Sequence, residues 1–259
     1  MTASGPWRLV ESLTRWAEAT PWCDWLELGG SLGRGAGDAD SDVDAGVGVE
    51  LADASYLERR DAALAAARTF APVADELVQH LGSDERPADH LVMQYTDGRQ
   101  LSLVVMAAQN RPGLPPGSRA LLDRTGRLAE PYVPDVATAK PERQREWAFL
   151  AWWALTDVAK HAKRGSVWRA VESLHEARTH AWRLHAARAD LDYPAFGVIS
   201  VENAAAAVPT EMGATLPAAD PSSIIAAAVR LSRVLDRLTE SAGVAGVRAE
   251  ALRRLRKSN

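Results

Sequence analysis

Apolar positions recur along this chain at two different periods, and the change of period divides it. Leu9, Leu13 and Trp16 fall on one helical face, so residues 6–20 read as a helix. The run DWLELGG, Asp24 to Gly30, then reads as a strand that stops at paired glycines. Residues 31–41, SLGRGAGDADS, carry no hydrophobic period and read as a loop, and Val43 to Val49 reads as the next strand. A helix from about Ala54 to Thr69 follows, and Pro72 to Leu81 reads as another. His90–Tyr95 and Leu101–Met106 form a hairpin closed around Asp97-Gly98, a favoured turn pair. The proline- and glycine-rich segment 110–134 reads as a connector.

Beyond it the period is helical throughout. Pro141 suits a first helical position and opens a helix to about Lys163, apolar nearly all round and therefore expected to be central. Ser166 is placed to cap a helix running to about Arg188, Asp220-Pro221 starts another, and Gly243 or Gly246 separates off a short last one. The fold class is therefore α+β: a small mixed sheet flanked by helices over residues 1–134, then an all-α bundle over 135–259.

Composition narrows the setting. With 47% hydrophobic and 25% charged residues the chain is able to bury a core. A single cysteine, Cys23, excludes an intramolecular disulfide and suits a reducing compartment. Trp7, Arg8 and Glu11 interrupt any N-terminal apolar run, and Trp147–Leu155 is too short to span a bilayer, so a soluble cytoplasmic protein without a membrane partner is expected. Charge is unevenly spread: residues 1–135 carry −9 and residues 136–259 carry +5. An acidic front suits a cation site.

The chemistry gathers between Leu28 and Val47. Asp42 and Asp44 alternate with Val43 and so share one face of a strand edge. Two carboxylates on one rigid edge are what a hard divalent cation such as Mg²⁺ needs, with substrate phosphates completing the shell. Gly30 lets backbone amides approach an anion, Ser31 adds a hydroxyl donor, and Arg34 offers its fork of donors to the same phosphates.

The pattern Leu28-Gly29-Gly30-Ser31, then Asp42-Val43-Asp44-Ala45, resembles the signature of the polymerase-beta-type nucleotidyltransferase superfamily, which includes the aminoglycoside nucleotidyltransferases. The resemblance implies that Gly30 and Ser31 hold a triphosphate and that Asp42 and Asp44 are both catalytic and the ligands of Mg²⁺. One position departs from it. The superfamily usually carries a third carboxylate on a later strand, and the matching place here holds Ser102. A serine is neither a strong metal ligand nor a base near neutral pH without help. Asp97 is needed by its turn, while Asp89 sits at a strand start. Some relatives take their base from the helical domain, which makes Glu172, Glu146 and Asp157 candidates; Glu172 is carried forward as the third catalytic residue.

In the second half, Arg164, Gly165, Trp168, Ala170 and Arg178 resemble the second-domain motif of small-molecule nucleotidyltransferases. Trp168, Val171, His175, Arg178 and Trp182 share a helical stripe able to wall a cleft or to form a core face. Arg248, Arg253, Arg254, Arg256 and Lys257 come without interleaved aromatics and read as a solvated face, so nucleic acid is not the expected partner. The expected function is Mg²⁺-dependent transfer of a nucleoside monophosphate from a nucleoside triphosphate, ATP foremost, to a hydroxyl of a small, aminoglycoside-like acceptor. The competing reading, kept open by Ser102, is a nucleotide-binding protein with little or no turnover, such as one half of a toxin–antitoxin pair.

Overall fold

The computed structural model describes residues 5–132 and 138–258. The chain separates into two compact units, Met1–Val133 and Pro134–Asn259. The expected boundary at 134/135 lies outside the described residues.

The first unit is a six-stranded mixed sheet with helices on one face. In chain order it contains α1 (Trp7–Ala19), β1 (Cys23–Leu28), the single turn α2 (Gly30–Gly33), β2 (Val43–Val49), α3 (Tyr56–Ala67), β3 (Val73–His80), β4 (Ala88–Tyr95), β5 (Gln100–Ala107) and β6 (Arg119–Asp123). The strands lie in the order β3-β4-β5-β2-β1-β6. Only β2 and β5 pair in parallel, and the return between them runs through α3 and the β3–β4 hairpin. Strand alternation sends Leu26, Leu28, Val43, Ala45, Leu91, Met93, Leu101 and Leu103 to one face, where Leu9, Leu13 and Ala17 of α1 and Ala63 and Ala67 of α3 close the core. α3 starts in a capping box: Glu58 N donates to Ser55 Oγ at 3.3 Å, and Ser55 N donates back to the Glu58 carboxylate at 2.7 Å.

Two readings are corrected. Residues 73–80 are not a helix but an edge strand, paired antiparallel with β4 from Val73↔Tyr95 to His80↔Asp89. Their four apolar residues fit either period, and ladder bonds to a buried neighbour decide for the strand. Nor is 110–134 merely a connector. Within it β6 pairs with β1, and Asp24, buried in β1, accepts from Thr125 Oγ1 at 2.9 Å and from Arg127 Nε at 3.2 Å.

The same segment covers part of the face opposite α1 and α3. Gly46 and Gly48 of β2 leave room there: a Cβ on Gly48 would lie 2.1 Å from the Trp25 indole, and one on Gly46 would lie 2.7 Å from Glu27 Oε1. Trp25 and Glu27 therefore lie flat across β2. Arg111 ion-pairs with Glu27 and places its guanidinium 4.9 Å from the Trp25 ring centroid, while Trp25 Nε1 donates to Ala108 O at 3.2 Å.

The second unit is all-helical: α4 (Pro141–Lys163), α5 (Val167–Arg188), α6 (Val198–Asn203), α7 (Pro221–Leu238) and α8 (Ala245–Ser258). Gly165, at φ +69°, turns α4 into α5, and Asp220 caps α7 by accepting from Ser223 N at 2.9 Å. α4 is central, touching α5, α7 and α8, and its fully buried Trp152 donates to Thr239 Oγ1 at 3.0 Å. It is not buried all round, however: Phe149 and Trp153 stack on each other on its exposed side.

Burial pushes the Glu27 carboxyl above the usual range, with Arg111 pulling the other way. Arg111→Ala should strand that charge and destabilise the first unit by about 3–5 kcal/mol at neutral pH, read as a lower urea midpoint. A carboxyl whose folded pKa is raised binds a proton on folding between its unfolded and folded values, so stability in that window falls as pH rises. The penalty should therefore shrink on lowering pH to about 5. A penalty that does not change with pH would show that Glu27 is not the group left unpaired.

Candidate functional site

The uncovered part of the face opposite α1 and α3 is where the expected site residues meet. β1 ends at Leu28, and the chain turns back over β2 through Gly29 and α2. Gly29 N donates to Asp44 O at 2.8 Å, which fixes the turn beside the carboxylate. Gly30 has φ +58°, and a Cβ built on it would lie 2.1 Å from Asp44 Oδ2. Two independent constraints thus demand glycine, and their joint result is a backbone turn seated directly on a carboxylate. The first amides of α2 have no intrahelical acceptor.

Asp42 precedes β2 and is exposed; Asp44 is its second residue and half-buried, with Val43 fully buried on the other face. The Asp44 carboxyl is pushed above the usual carboxylate range, chiefly by burial and next by the charge of Asp42. A hydrogen bond from Ser102 and the charges of His90 and Arg34 pull it back. The Arg34 stem crosses Gly117, where a Cβ would lie 2.9 Å from Arg34 Cγ. Ser31 does not point freely at this edge. Its hydroxyl donates to Ser41 Oγ at 3.1 Å, and Ser41 donates to Asp38 Oδ1 at 3.0 Å, closing the loop 31–41 on itself.

Ser102 sits directly across from Asp44 in the β2–β5 register, in the place the sequence assigned it. It is not isolated. His90 Nε2 lies 2.8 Å from Ser102 Oγ, and His90 Nδ1 lies 3.2 Å from Gln79 Oε1. Four strands thus contribute a continuous row: Asp44 on β2, Ser102 on β5, His90 on β4 and Gln79 on β3. Sequence reasoning missed His90, although the signal was present. Counting outward from Asp97-Gly98 pairs Val92 with Ser102 and His90 with Val104, which puts His90 and Ser102 on one face as diagonal neighbours. Gln79 was hidden by the misread strand.

A cavity of about 380 Å³ opens beside Asp42, lined by Arg8, Asp40, Asp97, Arg99 and Gln100 among others. Glu172 lies exposed on α5 of the second unit. Glu146 is paired with Arg143 at 3.0 Å and Asp157 with Lys160 at 2.5 Å. Of the helical stripe, Trp168 is 78% exposed, and Arg178 Nη1 donates to Thr215 O at 2.8 Å. Among the described residues no group of three or more His, Cys, Asp or Glu side chains is placed to hold a metal ion. Asp42 and Asp44 nevertheless fit Mg²⁺ as a pair, since that ion is ordinarily held by one or two carboxylates together with substrate phosphates. No helix among the described residues is long and apolar enough to cross a membrane.

No family model matches the chain, and no curated protein matches it. Among solved structures it is similar to an aminoglycoside 6-adenyltransferase from Bacillus subtilis, at 12% identity and a TM-score of 0.35, over 95% of this chain and 91% of that one.

The seat of Gly30 on Asp44 makes a separable prediction. Gly35→Ala has a left-handed backbone but open space, so it should cost only about 1–2 kcal/mol. Gly30→Ala adds a clash with the Asp44 carboxylate and should cost about 2–5 kcal/mol. Chemical denaturation of the two variants measures the difference; equal losses would show that the carboxylate is not seated on the turn.

Proposed function

We propose that the first unit binds ATP with Mg²⁺ and transfers AMP to a hydroxyl of a small acceptor of the aminoglycoside-like class. The observation that carries this reading is the turn at Gly30 packed on Asp44, which brings the first backbone amides of α2 and two carboxylates to one strand end. The amides and Arg34 receive phosphate oxygens, and Asp42 and Asp44 hold the cation that those phosphates share. Bound there, Mg²⁺ supplies charge neutralisation for the triphosphate and its departing pyrophosphate. The acceptor oxygen bonds to the α-phosphorus, the bond from that phosphorus to the bridging oxygen breaks, and pyrophosphate leaves.

The acceptor's proton needs a destination. His90, within hydrogen-bonding distance of Ser102 and oriented through Nδ1 by Gln79, stands beside the position of the usual third carboxylate and takes that proton by way of the Ser102 hydroxyl. Glu172 is the other candidate base. A second reading, nucleotide binding without turnover, rests on Ser102 standing across from Asp44 where the usual third carboxylate would be, since a serine is neither a strong metal ligand nor a base without help.

Saturating ATP with Mg²⁺ should stabilise the chain by about 2.7 kcal/mol at a hundred times its dissociation constant, read as a rise in melting temperature. Asp42→Ala with Asp44→Ala should abolish that rise; an unchanged rise would refute the metal assignment. Release of pyrophosphate in the presence of an aminoglycoside separates transfer from binding alone. His90→Ala should lower turnover by about a hundredfold or more, the ordinary contribution of a positioned base, with ATP affinity retained. Collapse with Glu172→Gln but not with His90→Ala would place the base on α5 instead.

A further inference from the structure

A second cluster of charge lies wholly within the helical unit and takes no part in the reading above. Lys160, Lys163 and Arg164 project from the C-terminal end of α4 at spacings of three and four residues, one helical face. Arg253, Arg254 and Lys257 do the same at the end of α8. The two cationic faces line a single cleft of about 500 Å³.

Part of this charge has a structural explanation. Two helix C-termini carry roughly half a negative charge each. Asp157 pairs with Lys160 at 2.5 Å, and Glu250 pairs with both Arg253 and Arg254 at 2.6 Å. Those two arginines hold the Glu250 carboxyl at about 2, well below the usual range. Set against six cations, these groups leave an excess of roughly three positive charges. Lys163, Arg164 and Lys257 are exposed and have no carboxylate partner among the described residues. Solvated cations usually point apart. Here two helices that pack together, α4 and α8, direct theirs into one concave space, which costs stability through self-repulsion.

We propose that this cleft binds a compact ligand bearing several adjacent phosphates, such as a tri- or tetraphosphate group. Its volume falls in the range of small-molecule sites. None of its lining residues is aromatic, so it reads phosphate charge and has no platform on which to stack bases. That favours a compact polyphosphate over a nucleic-acid strand. Lys163, Arg164 and Lys257 are the donors without a carboxylate partner among the described residues, and Arg253 and Arg254, held by Glu250, form the opposite wall.

The test uses the full chain carrying Asp42→Ala and Asp44→Ala, in EDTA, so that the first unit's cation site is silent. Inorganic tripolyphosphate is titrated by calorimetry, with a single-stranded RNA oligonucleotide as the second arm. Tripolyphosphate should bind, with affinity falling as salt is raised. Adding Lys163→Glu and Lys257→Glu should weaken binding by at least about a hundredfold, two lost contacts at about tenfold each. The same charge reversal should raise the melting temperature without ligand, because it relieves the repulsion. Lys163→Gln with Lys257→Gln should give the same signs with smaller effects and guards against a folding defect. Binding unaffected by either pair, a lowered melting temperature with the neutral pair, or RNA bound more tightly than tripolyphosphate through these lysines would each overturn the proposal.

Discussion

The approach of one peptide turn to one carboxylate organises the first unit. Asp44 has to be rigid, partly withdrawn from water and directly beneath a backbone segment. Rigidity comes from β2, held in parallel by β5 on one side and antiparallel by β1 on the other. Withdrawal comes from the turn itself, since the space that a Gly30 side chain would need is occupied by Asp44 Oδ2. The parallel β2–β5 pair in turn requires a long crossover, and α3 with the β3–β4 hairpin provides it. That hairpin brings His90 and Gln79 to the same face as Ser102.

The two faces of the sheet solve different problems. One is covered by α1 and α3 through ordinary alternation of Leu and Val, and its few buried polar groups are tied in place: Tyr95 Oη donates to Ala67 O at 2.9 Å, and the buried Asp89 pairs with His80 and, at 3.7 Å, with Arg60 of α3. The other is divided along its length. At its β1 side, Gly46 and Gly48 allow Trp25 and Glu27 to lie flat, and Arg111 seals them. A buried ion pair of this kind adds little net stability, yet removal of either member strands a charge. Two steps along β2, the cover stops, and Asp44 with Ser102 and His90 stays within reach of solvent. Glycine therefore serves opposite ends in this short strand and the turn before it: at 46 and 48 it admits side chains, and at 30 it admits backbone.

Elements with a strong period of their own were legible in the sequence. α1, β2, α3 and the β4–β5 hairpin were placed within a few residues, because helical spacing of apolar residues, a bounded apolar run and an Asp-Gly turn are all local signals. The Gly30, Asp42 and Asp44 arrangement was legible for the same reason: strand alternation fixes which residues share an edge. β3 was not, because its mix of Val73, Leu77 and Val78 with charged residues fits a helix until a partner strand is present. β6 was masked by neighbouring prolines and glycines, although Ala120-Leu121-Leu122 was there to pair with β1. Ser31 shows the converse limit. Its residue type suggested a phosphate donor, while its actual partner, Ser41, depends on how an eleven-residue loop closes, which no periodicity encodes. Pairings between a helix end and a distant helix are equally silent, so the basic residues of α8 read as a solvated face until α4 was seen opposite them.

The replacement of a carboxylate by Ser102 changes the electrostatics of the site in a definite direction. A third aspartate across from Asp44 would add a further negative charge to a carboxyl already raised by burial and by Asp42. A hydroxyl there does the opposite, lowering the cost of ionising Asp44 by donating to it. Ser102 has only one proton, however, and two neighbours placed to receive it, Asp44 on one side and His90 Nε2 on the other. When it donates to Asp44, Ser102 accepts from His90, and a neutral His90 must then carry its proton on Nε2, with Gln79 turning its amide nitrogen instead of Oε1 toward Nδ1. When it donates to His90, Asp44 loses that support and depends on another positive neighbour. Orientation of a single hydroxyl thus couples the ionisation of Asp44 to the tautomer of a histidine on the next strand but one. A three-carboxylate edge has no such coupling, because each of its members only accepts.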